Sequence, residues 1–187
     1  MHTDSATLKR MTAILPLLGY LEDRGLAEKI ARAWELAEER GGWDSLEQAC
    51  FGPHLPKARL VDHVNAATES ALRVCEIITK YQGIMFDTQL VVAIGLMHDV
   101  CKVLEYEPDG QGGARVSEIG KHLQHGVAGG MLAQEVGMPL EMVHLILTHT
   151  PQSTMQPNRI EGVLFAAVDI CDANMLHYTN GHQLFGK

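Results

Sequence analysis

The chain is short of cysteine, of basic runs and of long apolar stretches, and each shortage closes off a class of protein. Its four cysteines, Cys50, Cys75, Cys101 and Cys171, are scattered through 187 residues with no Cys-x-x-Cys pair. A disulfide framework is therefore not expected, and the thiols read as reduced, most of them as packing residues. No run of Lys and Arg exceeds two residues, and 15 basic side chains stand against 23 acidic ones, a formal charge of −8. That balance opposes contact with a nucleic acid backbone, so polymeric DNA or RNA is not an expected partner. Apolar or glycine runs such as Leu90 to Met97 fall far short of the ~20 residues that a membrane helix needs. The start, Met1-His2-Thr3-Asp4-Ser5, lacks the basic and apolar regions of a secretory signal. A cytoplasmic protein with no membrane partner is expected. Low-complexity segments and internal repeats are lacking as well.

What the chain does have is enough apolar residue for a full core, 46% hydrophobic against 20% charged, and ten histidines. Its periodicity is helical almost throughout. Ile14, Leu17, Leu18 and Leu21 form one apolar stripe, and Leu26, Ile30, Ala33, Trp34 and Ala37 form another at three- and four-residue spacing. Pro16 marks a start or kink of the first helix and Gly41-Gly42 a stop of the second. Residues 1–57 read as a helical N-terminal extension without recognisable chemistry, and residues 58–187 as the main domain. Helices are expected over roughly 60–80, 87–99, 117–136, 139–149 and 160–176. Pro108 to Gly113 is expected to be a flexible loop or short hairpin, and Thr150 to Asn158 an exposed loop. No period-two alternation is long enough to demand a sheet, so the fold class is all-α.

On these helices the polar residues fall in telling places. His98-Asp99 ends a helix whose preceding eight residues are all apolar or glycine, and Asp169 follows the apolar run Val163 to Val168. Carboxylates buried in such settings need partners. Few Lys or Arg lie nearby in sequence, but imidazoles are plentiful. His63 sits in the first turns of the main domain, His122 and His125 are spaced three apart, and His149 closes another helix. A metal ion would satisfy all of these at once. His2, His54, His144, His177 and His182 read as ordinary core or surface residues.

The order His63, His98-Asp99 and Asp169, with Lys102 three residues past Asp99, resembles the HD-domain superfamily of metal-dependent phosphohydrolases. The resemblance spans about residues 58–177. His125-Gly126 and Thr148-His149-Thr150 are similar to the two additional histidines of its dinuclear branch. The spacing from His149 through Met155 to Val168-Asp169 is similar to that of HD-type diadenosine tetraphosphate hydrolases. The resemblance implies that His63, His98, Asp99 and Asp169 hold one metal and that Asp99 bridges to a second held by His125 and His149. Two divalent ions are implied, iron or manganese first, with zinc, cobalt, nickel or magnesium as alternatives.

Lys102 is the leading catalytic candidate outside the ligands, since its ammonium would meet an anion beside the metals if the helix continues past Asp99. His122, on one face with His125, is a candidate proton donor or ligand-orienting group. Arg115, Arg159 and Asp172 are weaker candidates for substrate or ligand contacts and read more simply as surface charges. Gly129-Gly130 reads as a site of close helix packing. The Gly-Tyr-Pro signature of the cyclic-dinucleotide phosphodiesterases is missing after His149, and Cys101-Lys102 stands where guanosine-tetraphosphate hydrolases favour Glu-Asp. The expected function is therefore hydrolysis of a small, anionic, nucleotide-like phosphomonoester or phosphodiester by a metal-bound hydroxide. A diiron oxygenase acting on a phosphonate or polyol is the alternative, although Thr150-Pro151-Gln152-Ser153 lacks the lysine that phosphonate oxygenases carry. A metal-containing regulatory module is the third reading, and a homo-oligomer is compatible with all three.

Overall fold

The computed structural model describes residues 5–184, and His2 lies outside them. The helices are α1 (Ser5–Ile14), α2 (Arg24–Arg40), α3 (Leu60–Gln82), α4 (Thr88–Met97), α5 (Lys102–Glu105), α6 (His125–Glu135), α7 (Leu140–Thr148) and α8 (Ile160–Thr179). Between α5 and α6 a two-stranded antiparallel ribbon pairs β1 (Tyr106–Pro108) with β2 (Ala114–Val116), so the expected turn-rich stretch is the tip of a short hairpin. The fold is all-α around that ribbon. None of these helices is long and apolar enough to cross a membrane.

The molecule is organised about α4. Asp87 caps its start by accepting a hydrogen bond from the Leu90 amide at 3.0 Å, and every residue from Val91 to Met97 is buried. A helix that is apolar on all sides has to be enclosed, and α2, α3, α7 and α8 surround it. Gly95 permits two of these approaches: a Cβ there would lie 2.4 Å from Oγ1 of Thr68 on α3 and 2.8 Å from the Phe165 ring on α8. Helix α3 presents Leu60, Val61, Val64, Ala67, Ala71 and Cys75 to the interior at three- and four-residue spacing.

The N-terminal helices close the opposite side. The fully buried Trp34 of α2 donates its indole N–H to the Leu96 carbonyl at 2.7 Å, one of the last carbonyls of α4, which lack partners within their own helix. The main apolar core runs from Met11 and Trp34 through α3 and α4 to Phe165.

Two expected helices differ in a way that matters for the site. Helix α4 ends at Met97, and residues 98–101 continue as turns with i to i+3 bonds, Val100 N–H to Met97 C=O at 3.3 Å and Lys102 N–H to Asp99 C=O at 2.9 Å. In such tighter winding residues three apart eclipse, which keeps Lys102 above Asp99. The helix expected over 117–136 begins only at His125. The preceding segment is held in turns because the Ser117 amide bonds the Glu105 carbonyl at 2.9 Å and Gly120 lies so close that a Cβ would come within 2.2 Å of that same oxygen. Gly129 and Gly130 do serve helix packing, each bringing α6 against a side chain of α7, Ile146 and Leu147 respectively.

Candidate metal centre

Five parts of the chain deliver the six expected ligands to one place. His63 comes from α3, His98 and Asp99 from the turns after α4, His125 from the first turn of α6, His149 from the end of α7, and Asp169 from the middle of α8. His63 Nε2 lies 3.1 Å from Asp169 Oδ1, 3.3 Å from Asp99 Oδ2 and 3.2 Å from His98 Nε2. His98 Nε2 is 3.4 Å from Asp99 Oδ2 and 3.6 Å from Asp169 Oδ1. Donor atoms that share a cation at about 2.0–2.2 Å stand roughly 3–3.6 Å apart, the edge of an octahedron or tetrahedron. The other oxygen of the same carboxylate, Asp99 Oδ1, faces a second pair, His125 Nε2 at 3.4 Å and His149 Nε2 at 3.7 Å. Asp99 is thus 1% exposed and shared between two donor groups.

The tautomers support the same reading. All four imidazoles use Nδ1 to donate a hydrogen bond away from the cluster: His63 to Asp172 at 2.6 Å, His125 to Glu105 at 2.7 Å, His98 to the Gly95 carbonyl and His149 to the Ile146 carbonyl, both at 2.6 Å. Each Nε2 therefore points its lone pair inward, the arrangement found where outer hydrogen bonds orient metal-bound imidazoles. Two such nitrogens 3.2 Å apart repel unless a positive charge lies between them. Asp99 Oδ2 is buried with no well-formed hydrogen bond, although Nζ of Lys102 is 2.8 Å away. Asp99, Asp169, Asp172 and Glu105 together outnumber that single ammonium, so the residues present fit divalent cations.

The protonation behaviour of the metal-free site expresses the same deficit. Burial pulls the His63 imidazolium down, but hydrogen bonds to Asp169, Asp172 and Asp99 outweigh it and raise its pKa to about 10. Burial pushes Asp169 up, yet His63 and His98 hold it at about 2. Asp99 lies well below the usual carboxylate range despite complete burial, held there chiefly by Lys102 and His98. A proton on His63 takes the position that a cation would fill.

Lys102, 9% exposed, stands where the sequence reading put it, and its Nζ also lies 3.6 Å from the centroid of the Phe51 ring. His122 is not brought to the cluster. It sits in the turns before α6, its side chain 74% exposed, 3.4 Å from Glu118. Arg115 pairs with Glu107 across the ribbon, and Arg159 pairs with Glu141 and Glu161. Asp172 accepts a hydrogen bond from His63, one of the expected ligands, rather than standing as a surface acid. Cys101 is fully buried, and burial pushes its thiol up to about 12.

Sequence reasoning missed Glu105, Phe51 and the polar rim. Glu105 lies three residues past Lys102, a spacing that α5 turns into one shared face. Phe51 carried no signal, being 48 residues before Asp99 on a loop of the extension. A pocket of about 380 Å³ opens on the cluster, lined by Phe51, Asp99, Lys102, His125, His149 and Asp169 together with Thr150, Gln152 and Ala173. A second pocket adjoins it through Phe51, Lys102, His125 and Gln152, and adds His54, Tyr106, Gln124 and His177. Two histidines first read as background thus line the approach to the site.

The HD domain family model matches residues 61–174, more than half of the chain, and that stretch contains all six candidate ligands and Lys102. No curated protein and no solved structure gives a significant match. Helical fold, clustered histidines and carboxylates and the length of the match agree, and the chain belongs to the HD domain family.

Proposed function

We propose that the protein is a dinuclear metal-dependent hydrolase of a small phosphomonoester or phosphodiester, nucleotide-like and anionic. The observation that carries this reading is the division of Asp99, with Oδ2 among His63, His98 and Asp169 and Oδ1 facing His125 and His149. The first set would hold one divalent ion and the second set another, with iron or manganese as the leading choices. Two such ions, when bound, supply Lewis acidity that lowers the pKa of a water and offsets charge on a phosphoryl oxygen.

The chain's own groups do the rest. Lys102 places an ammonium in the same pocket, where it attracts an anionic substrate and neutralises charge that builds during reaction. The backbone carbonyls of Gly95 and Ile146 fix two imidazoles without any side chain to reorganise. Phe51, Ile170 and Ala173 give the cavity an apolar wall, which keeps water away from the charged groups and strengthens their fields. Gln124, bonded to Thr150 at 3.0 Å and Gln152 at 3.2 Å, forms a polar rim that can hydrogen-bond the non-reacting part of a substrate. A cation-rich pocket inside an acidic protein suits a small anion rather than a polymer.

The test is anaerobic purification, reconstitution with iron or manganese, measurement of metal per chain, and parallel assays of phosphate release and oxygen uptake on a panel of phosphoesters, phosphonates and polyols. Two metals per chain with phosphate release is the expected outcome. Fewer than one metal per chain, or oxygen uptake without hydrolysis, would overturn the reading.

A further inference from the structure

Phe51 stands outside the stretch that the family match covers, yet it touches His63 of the cluster and the Lys102 ammonium beside it. Its ring meets the ligand His63 edge-on, centroids 4.5 Å apart at 63°, and Nζ of Lys102 lies 3.6 Å above it. We propose that Phe51 is a positioning residue of the metal centre, holding the Lys102 ammonium beside Asp99 at the wall of the substrate pocket. The proposal deepens the phosphohydrolase reading and rests on it for the role of Lys102 toward an anion.

The loop that carries Phe51 is built to hold it still. Its amide donates to the Ala58 carbonyl at 2.7 Å, Leu60 N–H bonds the Ala49 carbonyl at 2.8 Å, and Cys50 and Arg59 form an isolated antiparallel bridge between them. Phe51 belongs to a small apolar cluster of its own with Leu55 and Ala173, flanked by Ala58 and Leu176, separate from the main core. Filling the main core is therefore not its task. A buried ammonium has given up most of its water, and an aromatic face compensates it in the direction the face imposes. The Asp99 side of Lys102 is the side where cations compete for the same carboxylate, whereas the Phe51 face stays available whatever the carboxylate binds. Phe51 also lines both adjoining pockets, so the ammonium it holds sits at their junction.

Leucine at this position keeps apolar bulk but has no π face, and tyrosine keeps the face. The experiment titrates inorganic phosphate by calorimetry into the zinc-loaded full chain as wild type, Phe51→Leu, Phe51→Tyr, Lys102→Ala and the Phe51→Leu/Lys102→Ala double variant. The lysine ε-proton resonances of the same proteins are recorded after 13C labelling. Phe51→Leu weakens phosphate binding about tenfold, Phe51→Tyr stays within about twofold of wild type, and Phe51→Leu adds less than about twofold once Lys102 is gone, with metal per chain equal throughout. The Lys102 ε-protons, shifted upfield by the ring in wild type and Phe51→Tyr, return to the ordinary position in Phe51→Leu. Unchanged phosphate affinity in Phe51→Leu, a loss of the same size without Lys102, or identical Lys102 resonances in wild type and Phe51→Leu would each overturn the proposal. If wild type binds its metals but no phosphate, the hydrolase reading falls by itself, and the Lys102 resonances still decide whether Phe51 holds the ammonium.

Discussion

Removing Asp172 and Glu105, one at a time, should separate the two halves of the proposed metal centre. Asp172 accepts the Nδ1 proton of His63 at 2.6 Å and Glu105 that of His125 at 2.7 Å, whereas His98 and His149 rely on backbone carbonyls that no substitution removes. Each carboxylate thus orients one imidazole, and on the proposed dinuclear reading one ligand of one metal. A charge-assisted hydrogen bond of this kind contributes about 1.5–3 kcal/mol. Loss of such an outer partner typically lowers metal affinity by about ten- to a hundredfold, or about 1.4–2.7 kcal/mol. Both side chains are largely buried, 19% and 13% exposed, so water replaces the lost bond poorly and the upper half of that range is expected. The assay dialyses the full chain against chelator-buffered metal over several decades of free concentration and counts metal per chain by mass spectrometry. Asp172→Ala and Glu105→Ala should each keep one tight ion and release the other at a concentration where wild type holds two. The double variant should lose both. If either single variant weakens both ions equally, or neither variant weakens any, the assignment of one carboxylate to each half is wrong.

Lys102→Ala should retain wild-type metal content while phosphate release falls at least about tenfold, since it removes an ammonium aimed at the substrate and not a ligand; unchanged turnover would return Lys102 to a structural role. Because His63 carries a proton up to a pKa of about 10 in the metal-free site, Nε2 has to lose it to bind a cation. Calorimetry at pH 7.5 in buffers of different ionisation enthalpy should then show about one proton released as the first metal binds, with affinity rising as pH increases toward 10; zero release would mean that His63 is neutral beforehand. In the metal-free protein the same raised pKa gives stability that is full below about 6.5 and disappears as pH rises through about 10. Gly95→Ala places a methyl group 2.4 Å from Thr68 Oγ1 and 2.8 Å from Phe165, which should cost about 1–3 kcal/mol in urea unfolding; a neutral result would show that α3 and α8 can move apart.

The helical class was legible, and so was the convergence of the six proposed ligands, because both rest on local pattern. Apolar periodicity gives the helices, and a polar pair such as His98-Asp99 at the end of an apolar run demands a partner wherever the chain then goes. Lys102 was legible for the wrong local reason: it stays above Asp99 through a tighter turn rather than through a continued helix. His122 falls outside the site because the helical spacing of three does not hold across residues 117–124, where a backbone bond from Ser117 to Glu105 and the close approach of Gly120 keep the chain in turns. Glu105, Asp172 and Phe51 illustrate what local pattern cannot carry. Asp172 follows Asp169 by three on α8, but only the packing of α3 against α8 brings it to His63. Phe51 depends on a loop folded back by two backbone hydrogen bonds.

Trp34 and Phe51 both precede the segment by which the family is recognised. One closes the end of α4 through the Leu96 carbonyl and the other leans on Lys102. Homology therefore stops short of the folding unit. A fragment trimmed to residues 61–174 would leave the α2-facing side of α4 bare and the metal pocket without a wall, exposing apolar surface of the kind that aggregates. Such a fragment should be insoluble or loosely packed even with every ligand present. Relatives aligned only over the shared segment can differ in what precedes it, and with it in the shape of the pocket around the same ligands.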